Sequence, residues 1–225
     1  MPLIEAEPYP FELMPQCAAL LIIDMQRDFL EPGGFGESLG NDVGLLRRTI
    51  APIQAVLAAA RDAGLTIIHT REGHRPDLAD LPAAKKARGK PALAIGDRGA
   101  MGRLLVRGEP GHDIIPELRP LPGEPIVDKP GKGAFYATDL EAILRNRSIR
   151  QLIVCGVTTE VCVNTSVREA NDRGYDCLVL ADCVGSYFPE FHQAGLAMIK
   201  AQGGIFGWVG RSQAVIAALT ERSTR

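Results

Sequence analysis

Cys162 stands in the run Val157-Thr158-Thr159-Glu160-Val161-Cys162, where a short apolar segment, Gln151 to Gly156, gives way to a helical pattern. A thiol in the first turn of a helix sits among free backbone N–H groups at the positive end of the dipole, which stabilises a thiolate. With Thr159 as the N-cap, Cys162 is the third residue of a helix that carries Val163, Val167 and Ala170 on one face and stops near Gly174. Any single cysteine can equally be a small core residue, so the neighbours have to decide. Two other segments deliver suitable neighbours. The run Ala18 to Asp24 ends in a carboxylate, and Pro125 to Lys129 ends in a lysine. A carboxylate can take a thiol proton, and a lysine can hold the negative charge that forms. Ligands of open parallel sheets gather outside the carboxyl ends of the strands. Asp24, Lys129 and Cys162 therefore share one edge if their three strands are parallel.

The elements that must position them alternate along the chain. Strands are expected at 18–24, 65–70, 125–129, 151–156, 177–182 and 204–208, separated by helical patterns. That order predicts an α/β, doubly wound, mainly parallel six-stranded sheet with helices on both faces. Pro52 suits the first turn of a helix with Ile53, Val56, Leu57 and Ala60 on its inner face, ending before Gly64. Thr138-Asp139-Leu140-Glu141 has the form of a capping box, opening a helix through Arg145. Two more helices are expected, from Glu190 to Ala201 and from Ser212 to Thr220. The stretch from Glu72 to Glu124 is rich in Pro, Gly and charge and holds one expected short helix near Ala100 to Leu105. A loop of this length usually serves as a lid or a subunit contact.

Composition narrows the class. The 225 residues are 46% hydrophobic and suffice for one core, so a single domain over 1–225 is expected. A net charge of −2 offers nothing to nucleic acid or to an anionic membrane. No apolar run approaches the roughly 18 residues of a membrane span, and the start Met1-Pro2-Leu3-Ile4-Glu5 lacks the basic and apolar regions of a signal peptide. A cytoplasmic protein is expected. Five cysteines cannot all pair and form no CxxC pattern. Cys155 and Cys177 read as core residues; Cys183, which follows the strand 177–182, shares the sheet edge and has packing or chemistry open to it.

Three segments, taken in order, resemble the isochorismatase-like cysteine hydrolases. They are Ile22-Ile23-Asp24-Met25-Gln26-Arg27-Asp28-Phe29, Asp128-Lys129-Pro130-Gly131-Lys132, and Gly156-Val157-Thr158-Thr159-Glu160-Val161-Cys162-Val163. Within that superfamily, residues 69–82, 108–118 and 168–174 resemble the biuret and triuret hydrolases most, and the ureidoacrylate hydrolases share part of the likeness. The resemblance implies catalysis by Asp24, Lys129 and Cys162. It also implies an oxyanion hole from the backbone N–H groups of Thr158 and Cys162, and a cis peptide at Val157–Thr158. Gln202 matches a position that grips a ureide amide, and Phe29 a pocket wall; Lys132, Glu72, Arg71 and Tyr136 are further substrate contacts. Tyr136 and Glu160 depart from the pattern of the biuret hydrolases, which admits a longer ureide such as triuret. A small-molecule ureide is thus the expected partner, and a homo-oligomer, dimer or tetramer, the expected assembly.

No metal or other cofactor is expected. His69 and His74 lie five apart without a matching carboxylate arrangement, and the Asp-x-His pattern of metal-binding relatives such as nicotinamidases is missing. His69 reads as a packed end-of-strand residue, and His112 and His192 as surface or loop polar groups. A vinyl-ether hydrolase of the isochorismatase type would lack the cysteine, and a non-catalytic partner-binding domain would not need Asp24, Lys129 and Cys162 together.

Overall fold

The run Gln151–Val157 is buried at every position and forms the central strand of a seven-stranded sheet. The computed structural model describes residues 2–86 and 93–223. In chain order the strands of this sheet are β1 (Ala6–Glu7), β2 (Ala18–Ile23), β3 (Thr66–Glu72), β4 (Ile126–Lys129), β5 (Gln151–Val157), β6 (Asp176–Gly185) and β7 (Trp208–Gly210). They lie side by side in the order β1-β7-β6-β5-β2-β3-β4. All neighbours are parallel except β7 and β1, which run antiparallel at the edge.

The expected six strands are therefore joined by a seventh, a two-residue strand too short to show any alternation of its own. The last expected strand also moves, from 204–208 to Trp208–Gly210, because the chain first has to leave a kinked helix end. At that kink Gln202 and Gly203 take positive φ, 52° and 79°.

Side-chain alternation along the strands divides the core in two. Leu20, Ile22, Ile153, Leu178 and Leu180 pack with Ile53, Val56 and Leu57 of helix α1 (Ile50–Asp62) and with Val215 and Leu219 of helix α5 (Ser212–Ser223). Leu21, Ile23, Leu152, Val154 and Val179 face the other way, onto α2 (Leu140–Asn146), α3 (Asn164–Asp172) and α4 (Pro189–Gly204). Both faces are covered, as the near-continuous apolar strands require.

Three local expectations change. Thr138 does not cap through a box: its Oγ1 donates to Ala134 O at 2.6 Å, while Glu141 accepts from Arg145 and Arg173. Residues near 100–105 form a two-strand hairpin, Arg98–Gly99 against Gly102–Arg103, rather than a helix, because Gly99 and Gly102 favour a tight reversal. The segment after β5 opens with Thr158 as N-cap and a π-helical turn over Thr159–Val163, with α3 following. Thr159 spends its hydroxyl on His192 Nδ1, 2.9 Å away, instead of capping.

The excursion 72–124, of which 87–92 lie outside the described residues, folds back beside the carboxyl end of the sheet. Isolated bridges tie His74 to Val106 and Gln26 to Ile114.

Candidate active site

Strand register does most of the positioning. Ile23 pairs with Gly156, so Asp24 emerges beside the turn that carries Cys162; Glu72 pairs with Lys129, so those two charges emerge together. Gly156 is obligatory here. It has φ of 112°, and a Cβ would stand 2.0 Å from Ile23 O. Asp24 itself turns out of β2 with φ of 53°, a conformation that Asp tolerates better than most side chains.

All three sequence-identified centres are buried: Asp24 and Lys129 are 0% exposed and Cys162 is 4% exposed. Lys129 Nζ lies 2.7 Å from Asp24 Oδ2 and donates to Gly131 O and Lys132 O, each at 3.0 Å. Two of its donors are thus used on carbonyls, and its charge faces the Asp24 carboxylate. Thr70 Oγ1 donates to Asp24 Oδ1 at 2.6 Å. The bond between Val157 and Thr158 is cis, as the resemblance implies.

Glu72 is the largest surprise. Its side chain is fully buried, its Oε2 accepts from the Cys162 thiol at 3.5 Å, and one ligand atom each of Asp24, Glu72 and Cys162 lie within 4.8 Å of one another. Lys132 Nζ donates to both Glu72 oxygens, at 2.7 and 3.0 Å. Lys85 Nζ donates to Glu72 Oε1 at 3.3 Å and to Pro130 O at 2.9 Å, and meets His74 Nε2 at 3.0 Å. Around the thiol, therefore, the Lys129 and Lys132 ammoniums face the Asp24 and Glu72 carboxylates, and Lys85 adds a further ammonium at Glu72.

Burial alone would raise the Glu72 carboxyl, but Lys132, Lys129 and Lys85 together bring it down to about 2. Burial pushes the Cys162 thiol well above its usual value; Lys129 and Lys132 pull it down, while Asp24 and Glu72 push it further up. The expected helix-terminus thiolate is thus corrected. A fully desolvated sulfur holds its proton at rest and needs a base as substrate binds.

Depression of Glu72 bears on folding as well. Its ordinary value of 4.5 falls to about 2 in the folded chain, so its stabilisation is complete above about pH 4.5 and is lost as pH falls toward 2. Glu72→Gln should therefore lower stability by on the order of 3 kcal/mol at neutral pH. Denaturant titrations at pH 7 and pH 3 should show the gap to the parent protein narrowing; a gap that widens in acid contradicts this account.

By donor type, Asp24, Glu72 and Cys162 could also ligate a cation. Both carboxylates already hold an ammonium at 2.7 Å, however, and a divalent ion among them would face Lys129 and Lys132 directly. The lysines supply the positive charge that a metal would bring.

The other expected site residues divide. Phe29, Glu72, Lys132, Thr158 and Cys162 line one cavity of about 200 Å³. Arg71 does not; its guanidinium is held by Asp128 at 2.8 and 3.1 Å. Tyr136 is 62% exposed and covers Gly131. Gln202 lies exposed at the kinked end of α4, and within the single chain it does not reach the cavity. His69 packs against Glu124 as expected, while His112, expected as a surface or loop polar group, lies in the short turn Pro110–His112 and is buried beside Gly73. His192 is half-buried. Cys183 is fully buried in the same cluster as Cys155, which favours packing. Among the described residues no helix is long and apolar enough to cross a membrane.

Thr70, Lys85 and Gln26 join the site although the sequence reading did not single them out. Gln26 accepts from Glu72 N at 2.6 Å and donates to Glu72 O at 2.9 Å, fixing the backbone of that residue. Thr70 could have been found from its place near the carboxyl end of β3, two residues before Glu72, whereas nothing in the sequence marks Lys85 among its basic neighbours.

A model of the isochorismatase domain matches residues 18–213, a span that includes every residue of this buried cluster. The chain belongs to the isochorismatase domain family. Among solved structures, this isochorismatase-like chain is similar to a cysteine hydrolase from Pseudomonas syringae pv. phaseolicola 1448A. The two share 27% identity over 98% of each chain, with a TM-score of 0.78. It is also similar to an isochorismatase family protein from Desulfovibrio vulgaris subsp. vulgaris str. Hildenborough, at 27% identity, covering 93% of this chain and 99% of that one, with a TM-score of 0.71. An N-carbamoylsarcosine amidase from Thermoplasma acidophilum shares the fold at 23% identity, covering 87% and 96%, with a TM-score of 0.66. Family and buried thiol together make this an isochorismatase-like cysteine hydrolase.

Proposed function

We propose that this cysteine hydrolase is a metal-independent amidohydrolase that releases ammonia from a terminal carbamoyl or amide group through a thioester. The observation that carries the reading is the buried thiol itself: Cys162 opens onto the cavity with two carboxylates and two lysine ammoniums gathered behind it. Asp24 takes the Cys162 proton as sulfur adds to the carbonyl carbon. Backbone N–H groups of Thr158 and Cys162 receive the oxyanion. When the C–N bond breaks, Asp24 returns the proton to the departing nitrogen as ammonia. Water then adds to the thioester, giving a proton to Asp24; the C–S bond breaks, and that proton passes back to sulfur. Lys129 holds Asp24 in place throughout.

Biuret and triuret, to which the sequence motifs point, are the first compounds to assay, with ureidoacrylate beside them. Ammonia release from one or more of the three is the expected result, and a folded protein that releases none from these or from simple primary amides overturns the reading. The rate should be unchanged in EDTA. Inactivation by EDTA that zinc restores would rule out a mechanism run by the lysines alone.

A further inference from the structure

The cavity in front of Cys162 has walls that are mostly aromatic and aliphatic. Phe29, Phe35, Leu39, Val161, Tyr187 and Phe188 enclose it, contributed by the segment after β2, by the turn that carries Cys162, and by the segment after β6. These walls are mutually supported. Phe29 and Phe35 meet edge to face with centroids 6.4 Å apart, and Phe188 packs on Phe191 at 5.1 Å. Tyr187 donates its hydroxyl to Phe29 O at 2.7 Å, so that its polar end is already satisfied. Glu72 and Lys132 pair with each other at the cavity. Among the described residues, only Thr158, Asn41 and Glu160 add further polar side chains to the lining.

A linear ureide alternates N–H and C=O along its whole length. Set against aromatic and aliphatic walls, each unmatched edge loses its water and gains no partner, costing about 1–3 kcal/mol. An apolar substituent in the same place gains from leaving water and from contact with rings that are pre-positioned. Leu39 and Phe188 fit this view, since they remain 47% and 42% exposed in the free chain and would be covered by such a group.

We propose that the substrate of this site is a carbamoyl or primary amide compound bearing an apolar, ring-sized substituent, which occupies the aromatic chamber while its terminal C(=O)NH₂ meets Cys162. The inference rests on the amidohydrolase reading for its chemistry, but the chamber can be tested separately from turnover.

Biuret and 1-phenylbiuret share the same terminal carbamoyl group and differ by the ring. In the unmodified protein, kcat/KM for ammonia release should be about tenfold or more higher for 1-phenylbiuret. Phe35→Asn, which puts a polar amide into the wall, should reduce that ratio toward one. Equal or lower kcat/KM for the phenyl compound in the unmodified protein overturns the apolar chamber and leaves the amidohydrolase standing. Protection of Cys162 against iodoacetamide serves if neither compound is turned over. Protection by 1-phenylbiuret at about a tenth of the concentration needed for biuret upholds the chamber whatever becomes of the amidohydrolase reading. Equal protection overturns the chamber.

Discussion

Cys162→Ser protein should fold as the parent does and release ammonia at least about a thousandfold more slowly. The fold is expected to survive because the sulfur makes one long hydrogen bond, 3.5 Å to Glu72, and a hydroxyl fits in the same space. The chemistry is not expected to survive. Burial already holds the thiol well above its usual pKa, and the lysines offset this only in part. A serine hydroxyl starts many units higher and would need far more help than Asp24 can give. Cys183→Ser makes the contrast. Cys183 lies fully buried against the apolar cluster that contains Cys155, so a hydroxyl there should cost about 1–3 kcal/mol of stability. Turnover per folded molecule should stay within about twofold, since Cys183 packs in one core cluster and Cys162 in the other. Ammonia release and thermal melting, measured on both variants, separate the two roles. Lost turnover in Cys183→Ser with retained turnover in Cys162→Ser would move the nucleophile.

Much of this arrangement is legible in the order of the amino acids, for a physical reason. Asp24, Lys129 and the turn before Cys162 each end a parallel strand, and in a parallel sheet strand ends converge on one edge whatever the connections do. Apolar runs such as Leu20 to Ile23 identify those strands without help from tertiary contacts. Lys85 is not legible in this way. It comes from a four-residue helix, Ala83–Lys86, in a stretch without periodicity, and only the folding of that stretch onto the sheet edge brings it to Glu72. Glu72 is legible as a substrate contact and no more. Its place under the thiol depends on the pairing of Glu72 with Lys129, a register that composition does not encode. The thiolate expected at the helix terminus fails for a related reason. A helix terminus does favour negative charge, but burial of the sulfur and the neighbouring Asp24 and Glu72 carboxylates raise the thiol against the pull of Lys129 and Lys132. The hairpin at Arg98 to Arg103 and the two-residue edge strand Ala6–Glu7 are too short for any pattern to show.

The same electrostatics let the base be tested apart from the nucleophile. Asp24→Asn keeps an oxygen for the Thr70 hydroxyl at 2.6 Å and keeps the side-chain shape, but it removes a charge that pushes the Cys162 thiol up. With Lys129 and Lys132 still in place, the thiol pKa should fall, and iodoacetamide should label Cys162 faster at neutral pH than in the parent. Turnover should nonetheless drop about a thousandfold or more, because an amide can neither take the thiol proton nor return it to the leaving nitrogen. Lys129→Ala should lose turnover as severely by a different route. It strands the Asp24 charge and the carbonyls of Gly131 and Lys132 in a buried site, so about 3–5 kcal/mol of stability should go with it. Combining Asp24→Asn with Lys129→Met removes both charges together and should recover part of that stability without recovering activity. Faster labelling joined to lost turnover in Asp24→Asn identifies Asp24 as the proton carrier. If Asp24→Asn instead kept turnover within about tenfold while Glu72→Gln abolished it, the carrier would be Glu72, which already accepts the thiol hydrogen bond at 3.5 Å.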